Sequence, residues 1–148
     1  MSERAAFSPA AVVIYGGTAP AIVAAVRLAR EGLDVILVTP TAHLGGALPS
    51  LGAIETHYRG VRAPLLQEFI DRVVAHYRAE SGEQGEAYQV CTDGMMITFE
   101  PRVAEAILRD WIAAEARIRW LPGYVPVDVK RAGPRVTSAR FRRSARRM

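Results

Sequence analysis

The chain has 148 residues, of which 50% are hydrophobic and 23% are charged, the composition of an ordinary soluble globular protein with one domain. Its single cysteine excludes an intrachain disulfide, and its first ten residues hold an acid and no apolar core, unlike a secretory signal, so we expect a cytoplasmic protein without a membrane span. The net charge of +4 is uneven, because residues 130–148 contain eight basic and no acidic residues, which leaves −4 for the rest of the chain.

The first predicted elements are a strand, a helix and a second strand. Residues 11–15 (AVVIY) are continuously apolar, which is typical of a strand buried on both faces of a parallel sheet. Pro20 suits the first turn of the helix that follows, and Gly32 ends it. The apolar stripe of this helix consists of Ile22, Ala25, Val26 and Ala29. Residues 34–38 (DVILV) form a second buried strand, which completes a right-handed βαβ unit.

Irregular and helical segments alternate in the middle of the chain. Residues 39–62 are rich in Gly and Pro and predict a long loop, and residues 80–94 predict a polar excursion. Apolar residues at helical spacing predict helices over about residues 63–79 and 102–116.

The last predicted elements are strands. Residues 117–121 (RIRWL) indicate one strand, and residues 125–141 indicate a hairpin that turns at residues 132–134. Together with the first unit, they predict an α/β fold with a parallel sheet, flanking helices and a C-terminal β-hairpin.

The turn between the first strand and the helix is the first candidate site. In a dinucleotide-binding turn, three small residues permit a tight turn, a close approach of the pyrophosphate, and packing of the helix on the strand. Here these positions are Gly16, Thr18 and Ala21, with Gly17 between the first two. The helix N-terminus also offers N–H groups and a positive dipole to an anion. The residue expected to contact the ribose is Thr39, a weaker acceptor than a carboxylate.

Three segments of the chain resemble the FAD-dependent oxidoreductase family whose members begin with a GGTPAG-type turn. The first is the strand, turn and helix just described, and the second is the glycine pair Gly45 and Gly46. The third, "TFEPRVAEAILRDWI", is similar to the "EP-x-VAE" helix of the family. Its matching positions are Glu100, Pro101, Val103, Ala104 and Glu105. The likeness covers most of residues 11–140.

The resemblance implies a Rossmann-like FAD/NAD(P)-binding fold with FAD as the cofactor. It implies that the ribose of the adenosine lies near Thr39, and the ribityl or flavin end near Gly45 and Gly46. It also places the pyrophosphate over Gly16, Gly17, Thr18, Ala19, Pro20 and Ala21.

Three departures from the family pattern predict weakened FAD affinity. The turn reads Ala-Pro-Ala at residues 19–21 where the family has Pro-Ala-Gly, and Thr39 replaces a Glu. In a loose alignment, Pro126 falls where a backbone N–H usually meets the adenine, and proline has no N–H to donate.

Family members are several hundred residues long, so the resemblance implies that this chain is truncated. We expect an arm at residues 1–10, a partial FAD/NAD(P)-binding domain at residues 11–142 and a basic tail at residues 143–148. A second chain or a missing C-terminal half would cover the exposed sheet edges and supply the flavin-facing and substrate-facing parts. We assign no catalytic residue.

The remaining reactive side chains form no recognisable site. His43, His57 and His76 are not at metal-ligand spacings, so we expect no metal site. His43 is interpreted as a plain loop histidine, and Cys91 as a half-buried loop cysteine without an identifiable base. The basic C-terminal segment at residues 135–148 (RVTSARFRRSARRM) has one aromatic residue, Phe141, and no reading motif, which argues against nucleic-acid binding.

Two hypotheses about function remain open. In the first, the chain is the FAD-binding segment of an FAD-dependent oxidoreductase and positions the adenosine and pyrophosphate for the redox chemistry of the flavin. In the second, it is a non-catalytic, cofactor-free Rossmann-like relic or partner subunit, which Thr39, Ala21 and Pro126 favour. An NAD-binding module is disfavoured by the glycine pair and the "EP-x-VAE" helix.

Overall fold

The computed structural model describes residues 12–55 and 62–144, so the N-terminal arm, His57 and residues 145–148 lie outside the described residues. The helices are α1 (Ala19–Arg30), α2 (Ala47–Leu51), α3 (Pro64–Ser81), α4 (Glu86–Thr92) and α5 (Pro101–Ala114). The strands are β1 (Val12–Tyr15), β2 (Val35–Thr39), β3 (Ala53–Glu55), β4 (Met96–Thr98), β5 (Ile118–Pro122), β6 (Tyr124–Ala132) and β7 (Arg135–Arg143). None of these helices has the length and apolarity to cross a membrane.

The centre of the fold is a parallel sheet with the strand order β1-β2-β5. The α1 helix connects β1 to β2, which confirms the predicted βαβ unit and the α/β fold class. Its buried residues are those of the predicted stripe, namely Ile22, Ala25, Val26 and Ala29. Gly32 follows the helix with a φ of 86°, and its N–H donates to the Ala29 carbonyl at 2.9 Å. Glycine adopts this conformation without a steric penalty, so the helix stops here.

Burial on both faces is confirmed for most of β2 but is wrong for β1. Val13 and Tyr15 are each 46% exposed, whereas Leu37 and Val38 in β2 are fully buried. The difference follows from the order of the described strands, in which β1 has one partner and β2 lies between two. An apolar run indicates that a strand contacts apolar surface, but it does not indicate where the strand lies in the sheet.

The hydrophobic core lies between one face of the sheet and helices α1, α3 and α5. Phe69 of α3 makes edge contacts with Phe99 and with Trp111 of α5, at centroid distances of 5.6 and 6.1 Å. At the border of this core, Glu68 accepts hydrogen bonds from Arg30 and from the Trp111 indole, both at 2.7 Å. The bond from Arg30 is the main cause that lowers the pKa of Glu68 to about 2. This carboxylate therefore joins all three helices.

Short elements occur where the sequence predicted a loop and a polar excursion. Residues 47–51 form α2, and β3 pairs in an antiparallel manner with β4, with Ile54 opposite Ile97. The predicted excursion at residues 80–94 is wrong, because it contains α4, which buries Cys91. Cys91 is consequently a buried helix residue instead of a half-buried loop residue.

The predicted C-terminal hairpin is confirmed. Strands β6 and β7 pair in an antiparallel manner and turn between Ala132 and Arg135, as the Gly-Pro pair at residues 133–134 indicates. The ring of Phe141 lies 6.2 Å from the ring of Tyr15, so the hairpin contacts β1 on the sheet face opposite the core. Most other hairpin side chains are exposed, including its basic residues.

Candidate functional site

The turn between β1 and α1 adopts the geometry of a tight glycine turn. Gly16 has a φ of 134°, and its N–H donates to the Val38 carbonyl at 2.9 Å, so the turn continues the pairing of β1 with β2. Thr18 is the N-cap of α1 with extended backbone, but its side chain makes no capping bond. Pro20 lies in the first turn, as predicted.

The structure brings the two predicted glycine segments together. Gly45 forms an isolated parallel bridge with Thr18, in which the Gly45 N–H donates to the Gly17 carbonyl at 2.6 Å. In return, the Gly45 carbonyl accepts from the Ala19 N–H at 3.2 Å. Two segments that are distant in sequence therefore form one backbone unit at the N-terminus of α1.

Close packing explains the glycines of this unit. A Cβ atom on Gly45, whose φ is 98°, would lie 2.7 Å from both Leu108 Cδ1 and Pro49 Cδ. On Gly46, whose φ is 61°, it would lie 3.2 Å from the Thr18 methyl carbon. A side chain at either position is disfavoured by both space and backbone conformation.

The N-terminus of α1 can accept an anion. Among the described residues, the N–H groups of Thr18 and Ala21 have no protein acceptor. The Ala19 N–H donates to the Gly45 carbonyl, and Pro20 has no N–H group. Thr18 is exposed at the surface. Free N–H groups at the positive end of a helix of 12 residues suit a phosphate. The residues present therefore fit the pyrophosphate of a dinucleotide.

Thr39 lies at the end of β2 as predicted, but its hydroxyl group is already engaged. The side chain is fully buried, and its hydroxyl donates to the Thr41 carbonyl at 2.6 Å and accepts from the Trp120 indole N–H at 3.0 Å. A hydroxyl group has one proton to donate, and that proton is used inside the protein. A contact of Thr39 with a ribose stays a prediction.

A polar cluster that the sequence did not indicate borders the loop after β2. The Arg109 guanidinium stacks 5.0 Å from the Trp120 ring centroid and donates to the Ala42 carbonyl at 3.1 Å. Glu105 accepts from Arg109 at 3.0 Å and lies 3.5 Å from the His43 imidazole. The sequence offered one signal for this cluster, the spacing of four residues between Glu105 and Arg109 on an amphipathic helix. This spacing could not show that the loop with Ala42 and His43 also belongs to the cluster.

The other candidates do not join this site. His76 pairs with Glu80 on the same helix at 3.6 Å, and burial raises the pKa of the Cys91 thiol. Pro126 is exposed on β6, opposite Phe141. In the part of the chain that the structure describes, no group of three His, Cys, Asp or Glu side chains could hold a metal ion.

A parallel sheet with a glycine turn before its first helix defines the Rossmann-type class of dinucleotide-binding folds. The sequence of residues 11–148 matches the family described as FAD dependent oxidoreductase. Because this match includes nearly the whole chain, the chain belongs to that family. No curated protein sequence matches it.

Solved structures share the fold at low sequence identity. THI4 from Thermovibrio ammonificans is similar over 90% of this chain and 48% of that chain, with a TM-score of 0.58 and 18% identity. L-amino acid deaminase from Proteus myxofaciens, in complex with anthranilate, is similar over 96% of this chain and 44% of that chain, with a TM-score of 0.57 and 13% identity. GidA from Aquifex aeolicus is similar over 88% of this chain and 22% of that chain, with a TM-score of 0.53 and 18% identity. The chain thus spans less than half the length of each of these structures.

Proposed function

We propose that this chain is the FAD-binding segment of an FAD-dependent oxidoreductase, and that residues 11–142 form the cofactor-binding domain. The observation that carries the proposal is the joined glycine unit, in which Gly45 is bonded to the turn at Gly17 and Ala19 while the Thr18 N–H is left free. This arrangement provides an anion site at the carboxyl edge of a parallel sheet, where such folds bind their ligands.

Each part of this unit has a role in the proposal. The N–H groups of Thr18 and Ala21 donate to the pyrophosphate, and the dipole of α1 stabilises its charge. Gly46 is exposed and lacks a side chain, so it leaves room for the ribityl chain or the flavin. When bound, FAD supplies hydride or electron transfer, and this chain binds and orients it.

The rest of the active site comes from outside these residues in our proposal, either from a second chain or from a C-terminal half of the same protein. Val13 and Tyr15 are half-exposed on β1, which has one strand partner among the described residues. A further strand beside β1 would pair its free edge and reduce this exposure. The comparison structures, of whose length this chain covers 48% and 44%, fit this interpretation.

A cofactor-free relic or partner subunit is the second candidate. The specific observation in its favour is that Thr39 is fully buried and that its hydroxyl is held by the Thr41 carbonyl and the Trp120 indole, so it is not presented to a ribose.

Titration with FAD, ADP and FMN distinguishes the two candidates, with flavin fluorescence and thermal melting as readouts. The FAD-binding segment is expected to bind FAD and ADP, which contain the pyrophosphate, more tightly than FMN, which lacks it. A protein that is colourless after purification and whose melting temperature responds to neither FAD nor ADP would be the cofactor-free form.

A further inference from the structure

The carboxyl end of β2 is closed to a ligand by the loop that follows it. Thr39 is fully buried, and both the Thr41 carbonyl and the Trp120 indole hold its hydroxyl group. The His43 carbonyl lies 3.0 Å from the point where a Cβ atom on Gly17 would be, so this loop abuts the phosphate-binding turn. A ribose at this edge therefore meets the loop and its neighbours instead of Thr39.

Among the described residues, Glu105 is the carboxylate that lies against this loop. It is in the second turn of α5 and precedes Leu108, the residue that packs on Gly45, by one helical turn. Its side chain is 26% exposed and contacts His43, whose side chain is 89% exposed. Arg109 fixes it from the other side, since the guanidinium donates to both Glu105 and the Ala42 carbonyl.

We propose that Glu105 takes the place of the missing strand-end carboxylate and accepts hydrogen bonds from the ribose hydroxyl groups of the adenosine. The inference rests on the proposed FAD binding. An ionised carboxylate has about four acceptor positions, so the contacts with Arg109 and His43 leave capacity for two vicinal hydroxyl groups. Hydrogen bonds to a charged acceptor are about twice as strong as those between neutral groups, which is why an acid is favoured at this subsite.

The test compares ADP with 2′-deoxy-ADP, using calorimetric titration of the purified 148-residue chain and of Glu105→Gln. The wild-type chain is expected to prefer ADP by about tenfold, the size of one hydrogen bond to a charged group. In Glu105→Gln the preference should fall to about twofold or less, with FAD about tenfold weaker. A residue that only supports the loop would weaken ADP and 2′-deoxy-ADP by the same factor and leave the preference unchanged.

Asp34→Asn is the matched control. Asp34 is an exposed acid that pairs with Arg117 at 2.8 Å, and it precedes β2 at the opposite edge of the sheet, so its substitution should leave the preference unchanged. If circular dichroism shows that Glu105→Gln is unfolded, Glu105→Asp is used, which keeps the charge and withdraws it by one methylene group. It should also reduce the preference.

Each outcome supports or overturns the inference. An undiminished preference in the folded Glu105 variant, or no preference in the wild-type chain, overturns the role of Glu105 while FAD binding still stands. If neither FAD nor ADP binds to the wild-type chain, the proposed function fails, and the inference fails with it. The two failures are therefore distinguishable in one data set.

Discussion

Replacement of Thr18 by Asp should stabilise the protein and weaken FAD binding at the same time. Thr18 is the N-cap of α1, has extended backbone and makes no side-chain capping bond. Asp at an N-cap accepts a hydrogen bond from the second or third N–H of the helix, which in α1 is the Ala21 N–H because Pro20 has none, and its charge is favourable at the positive helix end. The same charge would lie beside the N–H groups that we assign to the pyrophosphate.

The two effects differ in size. Better capping should add about 0.5–1 kcal/mol to the free energy of unfolding, which is roughly 2 °C in melting temperature for a domain of this size. A carboxylate about 5 Å from a phosphate charge costs about 0.8 kcal/mol at a dielectric constant of 80 and about 3 kcal/mol at 20. FAD binding should therefore weaken by between about fourfold and about a hundredfold.

Thr18→Asn is the matched control, because Asn caps a helix nearly as well as Asp but carries no charge. Thermal melting without ligand should show both variants to be at least as stable as the wild-type chain. Because either cap would occupy the Ala21 N–H, fluorescence titration with FAD should show both variants to bind more weakly than wild type, with Thr18→Asp weaker than Thr18→Asn because of its charge. Added salt should reduce the gap between the variants, since Thr18 is exposed.

Equal FAD affinity of the Asp and Asn variants would refute the reasoning, because no phosphate would then be near the N-terminus of α1. A loss of stability in Thr18→Asp would refute a different step, namely that a side chain at position 18 can form the capping hydrogen bond that Thr18 does not make.

Three further predictions concern the scaffold. Gly45→Ala should lower the free energy of unfolding by about 3 kcal/mol or more in urea titration, because its Cβ atom would collide with Leu108 at a positive φ; a loss below about 1 kcal/mol would contradict this packing. Iodoacetamide should modify Cys91 roughly a hundredfold more slowly in the folded than in the urea-unfolded chain, because the thiol is buried and its pKa is raised; equal rates would place Cys91 at the surface. The ion pair with Arg30 lowers the pKa of Glu68 from 4.5 to about 2, so its stabilisation should be complete above about pH 4.5 and lost as the pH falls towards 2. Between pH 2 and 5, the melting temperature should fall more steeply with decreasing pH for wild type than for Glu68→Gln. Equal slopes for the two proteins would contradict the ion-pair assignment.

The parts of the fold that could be predicted have local causes. The buried face of α1 follows from spacings of three and four residues, and the hairpin turn follows from the Gly-Pro pair at residues 133–134. Strands β3 and β4 could not be predicted in this way. Each has three residues, and they pair across more than 40 positions, with Ala53 opposite Thr98. Alternation over three residues gives too little signal to recognise a strand.

The candidate site shows the same division. The glycine turn was predicted from sequence, and the resemblance to the family connected it with Gly45 and Gly46. The state of Thr39 could not be predicted, because the indole that occupies its hydroxyl group belongs to Trp120, 81 positions later. Contacts between residues so far apart depend on the packing of the whole sheet.

If FAD binds at the backbone bridge between Thr18 and Gly45, as we propose, it also stabilises the folded protein. A ligand seated on this bridge holds two segments together that the unfolded chain separates, and at a concentration of 100 Kd it would add about 2.7 kcal/mol to the free energy of unfolding. Half-exposed β1 would then open less often, and proteases, which cleave opened chains, would have fewer opportunities. The steady-state amount of this protein in a cell should therefore rise and fall with riboflavin supply.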